Sequence, residues 1–472
     1  PGGAAFDTTL IERSAWFDGV ADDLSGTLAL GNPSRWTASL WVRFLDFGTN
    51  AMILSAGPDT SNQFYFYRVS ANTIHITSIT SGTTTLNKVT TQVFRDHQWY
   101  HFLLDFEDPS MDFYVNGELV TSFTTNTENA GGTQWMKNVA HNVGIRKFDS
   151  SGRAKIYVAQ LCSINNKSIQ NGDLTVASFL TSYTFGTNGF QYVPRADATI
   201  AALATAAGGN SFCLTTAIGD GTDASGNGNN FTPTSMSDAA NGSADTPSLV
   251  YPVLNILDRN DTGLATFKDG NEFTVSNAVA GFMRATMSAD TGKFYYECQI
   301  DGLPSSNFEF GMQDTVALNT GYASVGNGFV LHIASSGAIN LYEGGTAGAS
   351  QETGVTDAAH TFQCAVDFDS GKFWFGRDDT WYGSGNPAAG TNETGTFTAG
   401  LRLAPVVGRA SSASTVAEQR LVWDSGSFGG TMPTGFLEWS SASLPTPVYQ
   451  GIDYFNPILY TGNGSTNAIT GV

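Results

Sequence analysis

The chain is 472 residues long, with 41 % hydrophobic and 14 % charged residues and 53 glycines; single cores stop growing near ~250–300 residues, so two or three domains of short strands and tight turns are expected. Acidic residues outnumber basic ones 42 to 22, for a net charge of −20, which repels phosphate backbones and anionic lipid and argues against a nucleic-acid or membrane partner. No run reaches the ~18–20 apolar residues that cross a bilayer, and the start at Pro1 carries no basic-then-apolar leader, which implies a soluble chain that has lost an initiator Met or an upstream segment.

Period-two alternation dominates residues 1–165. Ile74 and Ile76 share one face of a run from Thr73 to Thr77, and Tyr100, Phe102, Leu104 and Phe106 share one face of the next long run. In MDFYVNGELVTSF, Asn116-Gly117 separates two strand-like runs, and both residues tolerate the positive φ of a type I′ turn. Helical periodicity is confined to 196–207, an Ala-rich run stopped by Gly208-Gly209, and to a weaker run at 173–180. From about Gly208 to Ser248 the composition turns to Gly, Asn, Ser, Thr, Asp and Pro, which reads as linker. Strand patterning resumes at Leu264 and runs to about Trp439; in GKFYYECQI, Phe294, Tyr296, Cys298 and Ile300 alternate with Lys293, Tyr295, Glu297 and Gln299.

The fold expected is therefore all-β: tandem jelly-roll sandwiches joined by a short, partly helical Gly/Asn-rich bridge. The divisions are 1–170, a bridge at 171–261, a second sandwich at 262–445, and a tail or further β segment at 446–472. Two aromatic hairpins, one around His101–Val115 and one around His360–Phe375, echo each other across the two halves, and a pattern that occurs only twice excludes a solenoid or propeller. Cys162, Cys213, Cys298 and Cys364 are too few and scattered for a disulfide scaffold or a metal knuckle and read as buried free thiols.

Particular motifs match known families. RSAWFDGVADDLS, WTASLWVRF, HFLLDFEDPSMDFYVNGELV and KIYVAQLCSINNKSI, taken in order, resemble the laminin-G-like, concanavalin A-like sandwiches over about 10–170. TGKFYYECQI, FEFGM, GFVLHI and DFDSGKFWFGRDDTWYGSGNPAAG resemble a SPRY module over about 262–440. The bridge is similar to the one that joins these modules in long fibre and tail-associated proteins of bacteriophages, and YFNPILYTGNGSTNAITGV resembles the opening of a further sandwich there. The resemblance implies a virion-surface protein, a tail or head fibre or decoration, commonly a trimer among other virion proteins, that meets a host-surface glycan or receptor.

Candidate sites were weighed on their chemistry. A retaining glycosidase needs two carboxylates about 5–5.5 Å apart, and the E-x-D-x-E triad of glycan hydrolases on this fold does not occur; Asp105 with Glu107, and Asp367 with Asp369, share a face but end their strands beside turns, where a solvated role is expected. Nucleophile elbows, zinc helices, P-loops and dinucleotide fingerprints are missing, and His97 and His101 are four apart in a strand region, which does not make a zinc pair. No enzyme is expected. Asp223, Ser225 and Asn227 offer oxygens at positions one, three and five of a calcium loop with Gly228 at six, but Thr234 stands where a bidentate Glu belongs, which favours an Asx-type turn; Ca²⁺ is the only cofactor considered. Trp374, Trp381 and Tyr382 are the candidate ligand-binding aromatics, since flat rings stack on sugars and Gly and Pro neighbours favour display, with a structural plug over the sandwich end as the alternative. A non-enzymatic virion adhesin is thus expected, with a polysaccharide depolymerase or a purely architectural spacer as alternatives.

Overall fold

The computed structural model describes residues 10–45, 49–145, 152–185, 189–259, 265–267, 272–275, 281–300, 302, 307–314, 327–356, 358–409 and 419–444. The tail from 446 onward, where a further β segment was expected, lies outside the described residues. The described chain forms two β-sandwiches in tandem, nearly all β.

The first sandwich packs two eight-stranded sheets. One runs in the order Glu118–Leu119, Ser110–Val115, Trp99–Glu107, Arg35–Phe44, Lys155–Asn165, Ser14–Asp18, Gly242–Ser243, with Phe212–Leu214 also paired to Lys155–Asn165. The other runs Phe123–Glu128, Thr83–Val93, Thr73–Thr80, Asn62–Arg68, Ala51–Asp59, Ala140–Val143, Asp23–Thr27, Thr232–Thr234. The alternation read from sequence points inward as expected: Tyr100, Phe102, Leu104 and Phe106 meet Ile74, Ile76, Phe64 and Phe66 in one core. Aromatic rings there pack edge to face, Trp36 on Phe64 at 5.6 Å and Phe66 on Phe102 at 5.4 Å, an arrangement worth about 0.5–1.5 kcal/mol per pair beyond area burial. Asn116 (φ 50) and Gly117 (φ 86) make the tight hairpin turn between Val115 and Glu118.

The bridge is where structure and expectation part. Residues 197–243 complete the first sandwich: Phe212–Leu214 and Gly242–Ser243 extend one sheet and Thr232–Thr234 the other. The helix Asp197–Ala207, closed by Gly208 at φ 63, lays Ile200 and Ala204 on the outer face of the first sheet against Leu103 and the Cys162–Cys213 pair. Polar composition misled because these strands are only two or three residues long, too short for alternation to show.

The cysteine expectation is corrected for one pair. Cys162 and Cys213 face each other in register on adjacent antiparallel strands and form a disulfide across 51 residues; nothing in their spacing announces that the chain folds back there. Cys298 and Cys364 are buried free thiols, on neighbouring strands but each opposite an aromatic residue of the other strand.

The second sandwich starts at Leu254. One sheet runs Leu254–Arg259, Gly281–Ala285, Leu403–Arg409, Phe308–Asp314, Phe329–Ile333, Ile339–Glu343, Thr346–Glu352; the other runs Ala265–Phe267, Glu272–Val275, Gln419–Val422, Lys293–Ile300, His360–Asp367, Lys372–Arg377, Thr380–Trp381. Phe294, Tyr296, Cys298 and Ile300 fill its core. The two aromatic hairpins, Trp99–Glu107 with Ser110–Val115 and His360–Asp367 with Lys372–Arg377, occur one in each sandwich.

A short polar segment joins the halves. Asp245, 4 % exposed, accepts from Arg43 and from the Trp99 indole at 3.3 Å, and the Ser14 hydroxyl donates to its carbonyl at 2.6 Å. Further along, the Tyr251 hydroxyl donates to Glu438 at 2.6 Å and Val250 and Ser441 exchange bonds. Among the described residues no helix is long and apolar enough to cross a membrane.

Candidate functional site

The site is built from a strained hairpin. Arg377 and Thr380 are paired, so Asp378 and Asp379 form a two-residue loop, and both hold positive φ, 50 and 61. A type I′ loop ordinarily takes Asn-Gly or Asp-Gly; positive φ is disfavoured for L-residues, less so for Asp, whose short side chain can bond locally. Side-chain bonds hold these two in place. Asp378 accepts from the Thr361 amide at 2.9 Å, and its other oxygen lies 2.7 Å from Arg377 Nη1 and 2.8 Å from His360 Nδ1. Burial alone would raise the Asp378 carboxyl, but these donors hold it below its usual value. Asp379 Oδ1 accepts from Gln363 Nε2 at 2.9 Å and from the Thr431 amide at 2.7 Å, while its Oδ2 has only a long 3.4 Å contact with the Thr431 hydroxyl.

Trp381 stands beside this loop, opposite Gly376. A Cβ at 376 would meet Trp381 Cε3 at 3.1 Å, so the glycine lets the indole lie flat across the strand. The ring leans on Tyr295 with centroids 6.3 Å apart and stays half-buried, flanked by exposed Asp378, Asp379, Thr380 and Thr431.

Beneath the tip, the strap 425–436 closes over the outer face of the sheet. Glu297, fully buried, accepts from the Gly429 and Gly430 amides at 2.7 and 2.9 Å and from the Tyr295 hydroxyl at 2.6 Å. Phe428, Met432 and Phe436 cover Tyr295, Ala365 and Trp374. Gly430 is required by closeness: a Cβ there would lie 2.4 Å from Gln363 Nε2 and 2.8 Å from Asp379 Oδ1.

The three aromatics named from sequence separate. Trp374 is fully buried and donates from its indole to the Thr391 carbonyl at 2.9 Å, so it presents no face to a ligand. Tyr382 is 7 % exposed and its hydroxyl donates to Glu352 at 3.2 Å; burial, then the Glu352 charge, pushes its phenol well above the usual value. Both expectations are corrected: the loop 384–394 folds back over the strand that carries Trp374, and Tyr382 packs into the second core. Of the three, Trp381 alone is partly exposed, while it also packs against the cluster that holds Tyr295 and Trp374.

The calcium reading fares differently. Asp223 Oδ1 accepts from the amides of Cys213 and Ser225 at 2.9 Å each, Oδ2 from Asn229 at 3.0 Å, and Ser225 Oγ from Asn227 at 3.3 Å. Asn227 turns its amide nitrogen inward to the carbonyls of Ala204 and Ser211. The segment is an Asx-type knot whose oxygens serve the backbone, and among the described residues no group of three or more His, Cys, Asp or Glu could hold a metal.

The carboxylate pairs are turn anchors; for the buried Asp105 and Asp367 the solvated role expected of them is corrected, while Glu107 is partly exposed and Asp369 exposed. Asp105 is fully buried and accepts from Thr37 at 2.7 Å and from the amides of Ile169 and Gln170 at 2.7 and 3.0 Å, while Glu107 grips Arg35 at 2.7 and 2.8 Å. Asp367, 4 % exposed, caps the amides of Asp369 and Ser370, and Asp369 caps Gly292. The loop that comes to meet Asp105 is remote in sequence, whereas Asp367 caps amides two and three residues on, in its own turn. His97 and His101 are neutral: burial pulls them down to about 4 and about 3.

A cleft of about 560 Å³, its open mouth included, lies at the joint between the sandwiches, lined by Trp16, Tyr157, Asp245, Tyr251, Arg420 and Trp423 among others. Asp245 and Tyr251 are committed to holding the joint. Sequence reading missed Glu297, Gln363, Asp379 and the strap; the Gly429-Gly430 doublet and the outward parity of Tyr295 and Glu297 were the available signals.

Residues 19–151 match the concanavalin A-like lectin/glucanases superfamily. Comparison with curated proteins gives no match. Among solved structures, the SPRY domain of human HERC1 is 12 % identical and aligns over 36 % of this chain and 96 % of its own, with a TM-score of 0.29. Domains LG4-5 of the mouse laminin α1 chain are 9 % identical over 89 % of this chain and 92 % of their own, at a TM-score of 0.30. The heptameric SAP-like pentraxin of Limulus polyphemus is 16 % identical over 36 % of this chain and 81 % of its own, at 0.28.

Proposed function

We propose that the chain is a non-enzymatic binding protein of a bacteriophage virion surface, a tail or head fibre or decoration assembled as a homo-oligomer, that attaches host-surface glycan or receptor at the Trp381 tip. The observation that carries the binding reading is the half-open Trp381 ring fixed beside the Asp379 carboxylate on a strained two-residue loop; strain of this kind collects where geometry serves a ligand. The match of residues 19–151 to the concanavalin A-like lectin/glucanases superfamily supports a carbohydrate-related role for the first sandwich. The Cys162–Cys213 disulfide supports an extracellular setting, since such bonds persist in oxidising surroundings. The phage assignment is supported by the resemblance of the two modules and their order. The non-catalytic part is supported by the engagement of Asp105, Glu107, Asp367 and Asp369 with backbone and arginine.

One observation favours a second reading. The buried Asp245–Arg43 latch and the Tyr251–Glu438 bond tie both sandwiches to one short segment, as an architectural spacer requires. Purified intact chain and its Trp381→Ala variant are to be compared for competition with phage adsorption. The binding reading expects competition by the parent and its loss in the variant; a parent that does not compete leaves the spacer, and release of reducing sugar from host polysaccharide would establish a depolymerase.

A further inference from the structure

We infer that the Trp381 tip takes an uncharged or amino sugar and rejects acidic ones such as uronates and sialates; this rests on the binding reading above and names the ligand class. Arg377 is consumed: its guanidinium grips Glu352 at 3.0 and 2.6 Å and Asp378 at 2.7 Å. Glu352 is held below its usual carboxylate range by that arginine first, so it stays ionised. Asp378 is likewise ionised and engaged. Asp379 spends one oxygen on Gln363 and Thr431 and leaves the other nearly free, with its 3.4 Å contact to a hydroxyl that can rotate away.

The free valences are therefore those of an acceptor. A sugar hydroxyl or ammonium donates to Asp379 Oδ2, and a ring face packs on the indole. A sugar carboxylate would instead meet three carboxylates, Glu352, Asp378 and Asp379, that outnumber Arg377 and the His360 ring beside them, on a chain of net charge −20. At contact distance near a protein surface, a like-charge pair costs several kcal/mol, more than one stacked ring returns. Gly376 and Gly430 reinforce the selection by fixing the ring and the carboxylate relative to each other through backbone contact.

The test is calorimetric titration of the intact chain with three pools of oligosaccharide. One is neutral (glucose, galactose, mannose and N-acetylglucosamine oligomers), one is glucosamine oligomers, and one is acidic (galacturonate and sialyl oligomers). Binding of the neutral or amino pool is expected, accompanied by a change in tryptophan fluorescence. It should be weakened at least about tenfold in Trp381→Ala and in Asp379→Asn, since a hydrogen bond to a charged group contributes about that much. Asp379→Asn keeps an oxygen for the Thr431 amide, so it remains a usable variant if Trp381→Ala melts early. Equal or tighter binding of the acidic pool, lost in Trp381→Ala, overturns the ligand class and leaves the glycan reading standing. Silence with all three pools removes the glycan reading itself.

Discussion

Replacing Asp245 with Ala tests the joint most directly. Arg43 is 1 % and Asp245 4 % exposed, so the substitution strands a guanidinium without its counter-charge inside the protein, and also deprives the Trp99 indole of its acceptor. Breaking a buried pair from one side costs about 3–5 kcal/mol, whereas replacing both partners with apolar residues of similar volume is close to neutral. At roughly 2–4 °C per kcal/mol for a domain of 150–250 residues, the first sandwich should melt about 10 °C lower. The assay is scanning calorimetry of the intact chain with Asp245→Ala, and with Arg43→Met combined with Asp245→Leu. A loss under about 1 kcal/mol in the single variant, or a double variant as unstable as the single one, would refute the reasoning that a desolvated charge pair holds the joint.

Two further outcomes are expected. His141 is fully buried, donating to the Val139 carbonyl at 2.8 Å and accepting from the Met136 amide at 3.3 Å, and burial lowers it from 6.5 to about 4. Below pH 6.5 the unfolded chain takes up a proton that the folded chain refuses. Stability should therefore fall from pH 6.5 toward 4, by about 2–3 kcal/mol from this residue at pH 4.5. His97 and His101 act in the same direction, and Asp22, raised by burial to about 6, partly offsets them; a urea midpoint unchanged between pH 7 and 4.5 would count against this. Reduction of Cys162–Cys213, or Cys162→Ser with Cys213→Ser, reopens a 51-residue separation and should cost about 4 kcal/mol on the chain-entropy account; denaturant curves that coincide with and without reductant would contradict it.

How much was legible from sequence follows from where the controlling interactions lie. Strand faces were legible because the period-two rule is local: a one-residue slip would turn Phe102 or Tyr296 outward, and the core admits neither. The Asn116-Gly117 turn and the helix before Gly208 were legible for the same reason. The bridge was not, since Phe212–Leu214 and Thr232–Thr234 are strands only because longer strands accept them at their edges. At the tip, the aromatic run FWFGRDDTWY showed that rings lie there but could not tell which one stays open.

The sequence by itself determined two sandwiches, their inward faces and an acidic surface, because alternation and charge are properties of neighbours along the chain. Only the tertiary structure decided that Trp374 is sealed while Trp381 stays open, that Cys162 meets Cys213, and that Glu297 pins Gly429 and Gly430. Each of these joins residues 51 or more positions apart, or depends on a loop folding back, and such contacts are set by which surfaces must be covered once the sheets have formed.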